Sequence, residues 1–276
     1  MESIAEVMKF KNIKDKDGNI TAINPYLETY NRLKMAGKIK KSTSTMQYKC
    51  PECHDTGYIT TISGGEYYQV PCKCLEKIRV ESRLKKSGIS PGEYAKYSFL
   101  TFRTDTTEHA DMKRLAVNYL QTRNIGQGIG YFGASGTGKT HICIAICQAM
   151  TCDFGEEHYY FSYRSEIQRI KAVMYSNAEL YSQAIQHWIS VNNLYIDDLF
   201  KFAMKDGKIQ QQDLQIMFDI INTRYINHKA TLFSSEYALS YITNNIDEAL
   251  GSRIFAMVDP YKMGCEDING RFKKGA

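Results

Sequence analysis

Residues 133–140 read Gly133-Ala134-Ser135-Gly136-Thr137-Gly138-Lys139-Thr140, between a short apolar stretch at 129–132 and an apolar segment of helical length. They fit GxxxxGK[ST], the pattern of a phosphate-binding loop, in which glycines let backbone N–H groups point at phosphate oxygens. Lys139 can place its cation on the β- and γ-phosphates, and the Thr140 hydroxyl can bind Mg²⁺. The stretch therefore predicts a site for a nucleoside triphosphate with magnesium.

A pair of carboxylates follows a second apolar stretch, at 194–196. Asp197 is placed to hold Mg²⁺ through its water shell, and Asp198 to act as general base for the attacking water. An ordinary turn or the start of a helix is the competing interpretation of two adjacent aspartates. Their position at the end of an apolar stretch, two strand–helix units after residues 133–140, favours the functional interpretation.

From about residue 96, short apolar stretches alternate with longer amphipathic segments. Strands are predicted at 129–132, 158–161, 194–196, 231–234 and 255–258, and helices near 106–123, 139–150, 164–190 and 211–227. This alternation predicts an α/β fold, a parallel sheet covered by helices on both faces. Ligands of such folds bind at the carboxyl edge of the sheet. Ser235, at the end of the fourth strand, is therefore a candidate for sensing the γ-phosphate, and a turn-forming role explains it equally well.

Four cysteines fall within 25 residues, and they are Cys50, Cys53, Cys72 and Cys74. Two pairs of thiolates at this spacing can be brought together by short turns into a tetrahedral zinc site. Such a site is structural, because four thiolates leave no position open for water. Two disulfides are the alternative, which a reducing compartment disfavours.

The excess of positive over negative charge lies in the first third of the chain. The 276 residues include 35 Lys and Arg against 30 Asp and Glu, and residues 1–49 alone hold ten basic and five acidic side chains. This excess indicates an anionic partner, and a solvated basic tail explains it as well. Helices are predicted at 25–35, with an apolar stripe that suits docking on a partner, and at 75–86, followed by a linker at Pro91-Gly92.

The composition excludes several classes of protein. No apolar stretch approaches the ~20 residues of a membrane span. Residues 1–10 mix acids and bases and lack the apolar core of a secretory signal. We therefore expect a cytoplasmic protein with no membrane partner.

Eight stretches together resemble the AAA+ ATPases, and within them the DnaC/DnaI-type replicative helicase loaders, especially their phage and prophage versions. They are CPECHDTGY (50–58), PCKC (71–74), KKSGIS with YSFLTF (85–102), GASGTGKT (133–140), YFSYRSEIQRIK (160–171), LYIDDLFK (194–201), IINTRYINHKATLFSSE (220–236) and LGSRI (250–254). The phosphate-binding loop and the acidic pair alone suit many NTPases. The cysteine set and the endings SSE and GSRI are more specific.

The resemblance implies a role for each matching position. Residues 133–140 correspond to Walker A, and Asp197 and Asp198 to Walker B. Ser235 lies near sensor 1, and Arg253 is the arginine finger that completes the site of a neighbouring subunit. The implied cofactors are ATP or ADP and Mg²⁺, beside the zinc.

The resemblance also implies a contact with DNA. Residues 163–171 look like the additional helix that initiator-type AAA+ proteins place near DNA. Arg169 and Lys171 are candidates for phosphate contacts, and Tyr160 or Tyr163 for base stacking. A solvated basic face is the competing interpretation.

Two features depart from the family pattern. Asp198 stands where many AAA+ proteins have Glu, and a carboxylate one methylene shorter implies slow hydrolysis. Only 23 residues follow Arg253, which implies little or no carboxyl-terminal lid.

The function implied is ATP-dependent loading of a replicative helicase of the DnaB type during replication initiation. In this hypothesis residues 1–49 hold the helicase, 50–74 form the zinc knuckle, 75–95 a basic helix and linker, and 96–276 an AAA+ ATPase domain that self-associates and binds single-stranded DNA. The alternatives are an IstB-type transposition helper, and a nucleotide-gated protein that captures a replication factor with little turnover.

Overall fold

A computed structural model of the protein describes residues 12–14, 20–22, 48–63 and 66–265. The chain divides into two compact units, Met1–Thr56 and Gly57–Ala276. In the first unit, the strands β1 (Asn12–Lys14) and β2 (Ile20–Ala22) form an antiparallel pair. The helix predicted at 25–35 lies outside the described residues.

A hairpin and a helix begin the second unit. Strand β3 (Tyr58–Ser63) pairs along its whole length with the antiparallel strand β4 (Glu66–Pro71). Helix α1 (Lys73–Lys86) follows directly and is the basic helix predicted at 75–86.

The predicted linker at Pro91-Gly92 is instead the start of a helix, α2 (Pro91–Lys96). Proline suits the first turn, where its missing N–H leaves no hydrogen bond unmade. The Ser90 hydroxyl accepts from the Glu93 backbone N–H, and the Glu93 carboxylate accepts from the Ser90 N–H. This reciprocal cap stabilises a turn that a linker would lack.

Further helices lie between the strands of the second unit. They are α3 (Thr107–Thr122), α4 (Lys139–Cys152), α5 (Tyr163–Met174), α6 (Ala178–Ser190), α7 (Gln211–Ile226), α8 (Leu239–Tyr241) with a π-helical turn at Ile242–Ile246, and α9 (Glu248–Val258). The single helix predicted at 164–190 is two, because the Asn177 side chain caps the first turn of α6. Within the described part of the chain, none of the helices has the length and apolarity needed to cross a membrane.

Five parallel strands form the central sheet. Side by side they are β11 (Lys262–Cys265), β5 (Ile129–Gly133), β10 (Ala230–Ser235), β7 (Asn193–Asp197) and β6 (Tyr159–Ser162). Strand β10 thus separates β5, which ends in the predicted phosphate-binding loop, from β7, which ends in the acidic pair. Because all strands are parallel, their carboxyl ends meet at one edge of the sheet. The predicted α/β fold is confirmed.

The prediction of a strand at 255–258 is wrong. These residues are the last turn of α9, and the fifth strand is β11. The Asp247 carboxylate accepts from the backbone N–H of Leu250 at 2.7 Å and so caps the first turn of α9. A four-residue apolar run does not distinguish a strand from the buried face of a helix.

Two hydrophobic cores lie on opposite faces of this sheet. On β7, Leu194 and Ile196 belong to the core that α5, α7 and α9 cover, and Tyr195 belongs to the core under α3 and α4. This alternation follows from the two-residue period of a strand. Both faces of β7 are therefore covered, and the strand ends at the buried Asp197.

The buried His158 links α2 to the end of α4 by hydrogen bonds. The Nδ1 atom of His158 lies 2.8 Å from the Thr151 hydroxyl, which donates its own proton to the Glu156 carbonyl. Nδ1 therefore carries the ring proton, and Nε2 accepts from the Tyr94 hydroxyl at 2.6 Å. Burial lowers the pKa of His158 to about 4. The folded protein thus holds this ring neutral.

His158 should make the fold sensitive to acid. Its pKa is about 4 in the folded protein against 6.5 for an unperturbed histidine, so unfolding takes up a proton within this window. Stability should fall by about 1.4 kcal/mol for each pH unit between these two pKa values as the pH decreases. Urea unfolding at about pH 7 and about pH 5 would measure this loss of stability. Between these two pH values, the stability of His158→Gln should decrease less than that of the wild type.

A matched control is His228→Asn, because His228 is exposed and its backbone is in the left-handed region that asparagine tolerates. This variant should keep the wild-type dependence on pH. An unchanged dependence in His158→Gln would contradict the assignment.

Candidate nucleotide-binding site

Glycines shape the loop between β5 and α4. Gly133 has a φ of +123°, and a Cβ on it would lie 2.1 Å from the backbone carbonyl oxygen of Cys265 on β11. Gly138 has a φ of +89° and is the residue that precedes the first turn of α4. The loop, which also contains Ser135 and Gly136, therefore curls directly in front of the N–H groups of that turn. Such N–H groups form an anion site.

The Lys139 side chain folds back into this loop. It is buried, and its Nζ atom donates to the Gly133 carbonyl at 2.9 Å and also to the Ala134 carbonyl. The Thr137 hydroxyl donates to the same Ala134 carbonyl at 3.1 Å. Burial lowers the pKa of Lys139. A phosphate at the loop would offer this ammonium a charged acceptor in place of neutral carbonyls, so the residues present fit a polyphosphate.

The carboxylate of Asp197 lies beside the first turn of α4. Thr140 donates its hydroxyl to Oδ1 of Asp197 at 2.9 Å, and Ser234 donates to the same oxygen at 2.6 Å. Thr140 and Asp197 are 57 residues apart, and the sheet brings them together. A hydroxyl and a carboxylate are hard oxygen ligands of the kind that Mg²⁺ takes.

Two tyrosines complete the surroundings of Asp197, and the sequence analysis missed them in this role. Tyr195 donates to Oδ1 at 2.5 Å, and Tyr160 donates to Oδ2 at 2.8 Å. Tyr195 stands two residues before Asp197, so the strand period is a signal that could have found it. The pKa of Tyr160 is raised by burial and by the neighbouring carboxylate, so the phenol remains a donor. Tyr160 therefore faces Asp197, which does not fit the predicted base stacking.

The structure separates the two serines at the end of β10. Ser234 donates to Asp197 and accepts from the backbone N–H of Asp198 at 3.0 Å. Ser235, the predicted sensor, donates to the Leu199 carbonyl at 2.8 Å and accepts from the Tyr237 N–H at 3.2 Å. The Ser235 hydroxyl therefore holds backbone, whereas Ser234 reaches the acidic pair.

A cavity of about 290 Å³ lies between the loop and Asp198, the second residue of the acidic pair. Its lining consists of residues Lys96, Tyr97, Ser135, Gly136, Gly138, Lys139, Thr140, His141, Asp198, Lys201 and Glu236. Burial raises the pKa of Asp198. The hydrogen bond from the Lys201 ammonium lowers this pKa, the adjacent Asp197 raises it, and the net shift is upward. A raised pKa suits a carboxylate that has to accept a proton.

Residues 97–102, which precede α3 and are called the strap below, lie beside this cavity, and Tyr97 lines it. The ring centroids of Tyr97 and His141 are 5.2 Å apart, and the ring of Phe102 packs edge-on against His141 at 5.0 Å. Burial lowers the pKa of His141, which keeps the ring neutral. The sequence analysis used the stretch YSFLTF (97–102) only for the family resemblance and gave none of these three residues a role, because only the fold brings them to the loop.

Arg253 lies on α9 and is not among the residues that line the cavity. Its Nε atom donates to Oδ1 of Asn222 at 2.6 Å, and its guanidinium lies 5.0 Å above the ring of Phe218. The structure therefore places Arg253 against α7 of its own chain.

The two candidates for DNA contacts differ sharply in exposure. Arg169 has a 75% exposed side chain and pairs with Glu166 at 2.8 Å. Lys171 is paired with the buried Asp213, to which Tyr163 also donates its hydroxyl at 2.5 Å. Lys171 and Tyr163 are therefore occupied by an internal cluster, which does not fit their predicted contact with DNA. Only Arg169 of the pair is on the surface.

The four cysteines predicted to bind zinc come together. The sulfur atoms of Cys50, Cys53, Cys72 and Cys74 all lie within 4.8 Å of one another. Cys53 and Cys72 are buried. Four thiols at this separation fit a tetrahedral site of the kind that zinc occupies, and the donor set leaves no ligand position for water.

The serine contacts predict different outcomes for two neighbouring substitutions. Ser234→Ala removes a hydrogen bond to Asp197, so the rate of the predicted ATP hydrolysis should fall about tenfold with ATP affinity within about threefold of wild type. Ser235→Ala leaves a buried carbonyl and N–H unpaired, and should cost about 1–2 kcal/mol of stability. Steady-state ATPase assays and urea unfolding would measure the two effects.

Each serine variant is the control for the other. A loss of turnover in Ser235→Ala with wild-type stability, together with wild-type turnover in Ser234→Ala, would reverse the assignment and restore Ser235 as the sensor.

The chain has relatives in sequence and in fold. It is 28% identical over 223 residues to the phage-like element PBSX protein XkdC of Bacillus subtilis (strain 168), covering 78% of this chain and 81% of that protein. Among solved structures, the DnaC helicase loader matches with a TM-score of 0.54 and 20% identity, over 63% of this chain and 98% of that one. The DnaI structure matches with a TM-score of 0.51 and 15% identity, over 66% and 94%.

The family model described as IstB-like ATP binding protein matches residues 83–259, which is more than half of the chain. The matched range contains the phosphate-binding loop, the acidic pair and all of the sheet except β11. Together with the fold and the phage-element relative, this match confirms the resemblance to phage-type DnaC and IstB AAA+ ATPases. The chain belongs to the family of IstB-like ATP-binding proteins.

Proposed function

We propose that this protein is an ATP-dependent loader of a replicative DNA helicase of the DnaB type. The observation that carries the proposal is the hydrogen bond from Thr140 to Asp197, at 2.9 Å beside the phosphate-binding loop. This contact supports a magnesium–triphosphate site, because it brings the end of the phosphate-binding loop to the first residue of the acidic pair. Family membership supports ATP as the nucleotide, and the fold likeness to a structure named as the DnaC helicase loader supports the process.

The residues of the cavity divide the work of hydrolysis. The backbone N–H groups of residues 133–138 and the ammonium of Lys139 would hold the phosphates, and Thr140 and Asp197 would hold Mg²⁺. A bound Mg²⁺–ATP supplies the phosphoryl group and the charge that polarises it. Asp198 would then accept the proton of the attacking water. Its short side chain, compared with glutamate, supports slow turnover.

The strap supports a position for the adenine base of ATP. Tyr97 and His141 line the same cavity as the loop and offer ring surface to a flat aromatic ligand. A neutral His141 suits stacking better than a charged ring, because it avoids the cost of covering a cation. We assign the adenine to this side of the cavity.

Action on DNA and helicase would involve further surfaces. Arg253 would serve a neighbouring subunit of an oligomer, which requires it to leave Asn222. Arg169, which is exposed, would contact single-stranded DNA. Residues 1–49 would hold the helicase. The cysteine set would be a structural zinc knuckle.

The family match favours one other candidate, an IstB-type transposition helper. A helper of this kind acts on duplex DNA and not through a helicase. The preceding cysteine set, which lies wholly outside the matched range, supports the loader. A nucleotide-gated binding protein differs from both because it turns ATP over little.

Co-purification with the cognate replicative helicase tests the proposal. We expect the wild type to retain the helicase in a manner that depends on ATP, and single-stranded DNA to stimulate hydrolysis. Lys139→Ala should lose ATP binding and this dependence, since it removes the cation on the phosphates. Arg253→Ala should bind ATP but hydrolyse it slowly, and should recover activity when mixed with a variant that supplies Arg253.

The outcomes separate the candidates. Stimulation by duplex DNA without helicase binding would favour the transposition helper, and helicase binding without turnover would favour the nucleotide-gated protein. Normal ATP binding by Lys139→Ala would contradict the site itself.

The metal content of the purified protein tests the zinc knuckle. We expect about one zinc per chain by elemental mass spectrometry. Cys72→Ser should lose the metal, because a hydroxyl is a poor replacement for a buried thiolate, and should destabilise the fold. Cys152→Ser, an exposed cysteine outside the set, should retain it. Zinc-free wild type after expression with added zinc would contradict the proposal.

A further inference from the structure

A lysine outside the Walker motifs bridges two carboxylates at the cavity. The Nζ atom of Lys201 lies 2.9 Å from Oδ2 of Asp198 and 2.8 Å from Oε1 of Glu236. All three residues line the cavity that contains the phosphate-binding loop. Lys201 is therefore the cation nearest to the proposed general base in the described part of the chain.

The backbone aims Lys201 at this place. The segment 198–203 alternates its conformation, with φ values of 55° at Asp198, 65° at Phe200 and 62° at Phe202. Residues other than glycine rarely adopt this region, and such strain persists only where the surroundings enforce it.

Hydrogen bonds to β10 supply that enforcement. The backbone N–H of Leu199 donates to the Ser234 carbonyl at 2.9 Å, and the Ser235 hydroxyl donates to the Leu199 carbonyl at 2.8 Å. Within the segment, the N–H of Lys201 donates to the Asp198 carbonyl at 2.9 Å. The position of Lys201 thus follows from a strained segment that the end of β10 holds on both sides of Leu199.

The charges at the cavity require a cation here. A triphosphate is a polyanion, and Asp198 and Glu236 both face the space beside the loop. Without a compensating cation these carboxylates would repel the triphosphate, because like charges that share a partly dry cavity repel one another more strongly than in water. Lys201 compensates both, and its side chain is only 23% exposed, so solvent screens it little.

The location within the cavity indicates which phosphate Lys201 meets. A general base has to lie beside the water that attacks the terminal phosphate. Lys201 touches that base directly, whereas Lys139 approaches from within the loop. A cation beside Asp198 would therefore meet the γ-phosphate before the β-phosphate.

We propose that Lys201 is a γ-phosphate contact supplied from within the chain, and that it makes the site selective for nucleoside triphosphate over diphosphate. The proposal rests on the nucleotide site of the proposed function and adds a specificity-determining residue to it. Binding of the triphosphate draws Lys201 away from one of its carboxylates, and Asp198 is the partner that hydrolysis needs released. ADP offers no γ-phosphate and leaves the bridge intact.

The test is the ratio of affinities for a non-hydrolysable ATP analogue and for ADP, measured by calorimetry on the full chain. Lys201→Met keeps the apolar stem and removes the charge. We expect it to weaken the ATP analogue by about 10- to 100-fold, the range of a charge-assisted hydrogen bond, with ADP affinity within about threefold of wild type. Lys201→Arg should restore most of the preference.

Lys205→Ala is the matched control, because Lys205 is an exposed lysine on the short hairpin of β8 (Met204–Lys205) and β9 (Lys208–Ile209). It should leave both affinities unchanged. Circular dichroism and thermal unfolding of Lys201→Met would show whether the fold is intact, and Lys201→Gln gives a second neutral variant if it is not.

Two results would overturn the inference. Equal loss of both nucleotides in Lys201→Met would make the lysine a general support of the cavity, and no loss of either would make it a surface ion pair. A wild type that binds neither nucleotide would instead remove the nucleotide site itself and the proposed function with it.

Discussion

The carboxylate of Asp197 is buried, and four hydroxyl groups donate to it from four different elements. They come from Thr140 on α4, Tyr160 on β6, Tyr195 on β7 and Ser234 on β10. A buried carboxylate is costly unless hydrogen bonds compensate it, so these donors are a condition for placing the charge there. The same contacts tie the phosphate-binding loop to the neighbouring strands.

The sheet order explains how this arrangement arises. Strand β10 lies between the strand of the loop and the strand of the acidic pair. Its last residues therefore serve both, with Ser234 facing Asp197 and the following Ser235 holding the strained segment at Leu199. A small change at the end of β10 would consequently affect Asp197, Asp198 and the segment that carries Lys201.

The lining of the cavity is connected to α2. The strap that carries Tyr97 is continuous with α2, which the Tyr94–His158 hydrogen bond anchors. A displacement of Tyr97 at the cavity would therefore act directly on α2. The likeness to DnaC and DnaI concerns the fold, and the proposed loading function depends on whether this connection is used to hold and release a helicase.

Much of this architecture could be predicted from the sequence, because the relevant signals are local. The glycine pattern of residues 133–140, the cysteine spacing and the strand–helix alternation each depend on neighbours along the chain. Prediction from local patterns failed where the same pattern is compatible with two kinds of secondary structure. The apolar run at 255–258 is compatible with a strand or a helix, and the cap at Asp247 decides for the helix.

By itself, the sequence determined that a phosphate loop, an acidic pair and four thiols are present, and in which order they occur. Only the tertiary structure decided which side chains meet. Lys171 looked available for DNA until Asp213, 42 residues away, paired with it, and Lys201 and Glu236 came together across 35 residues. The physical reason is that burial and charge pairing depend on distances in space, which the order of strands in the sheet sets.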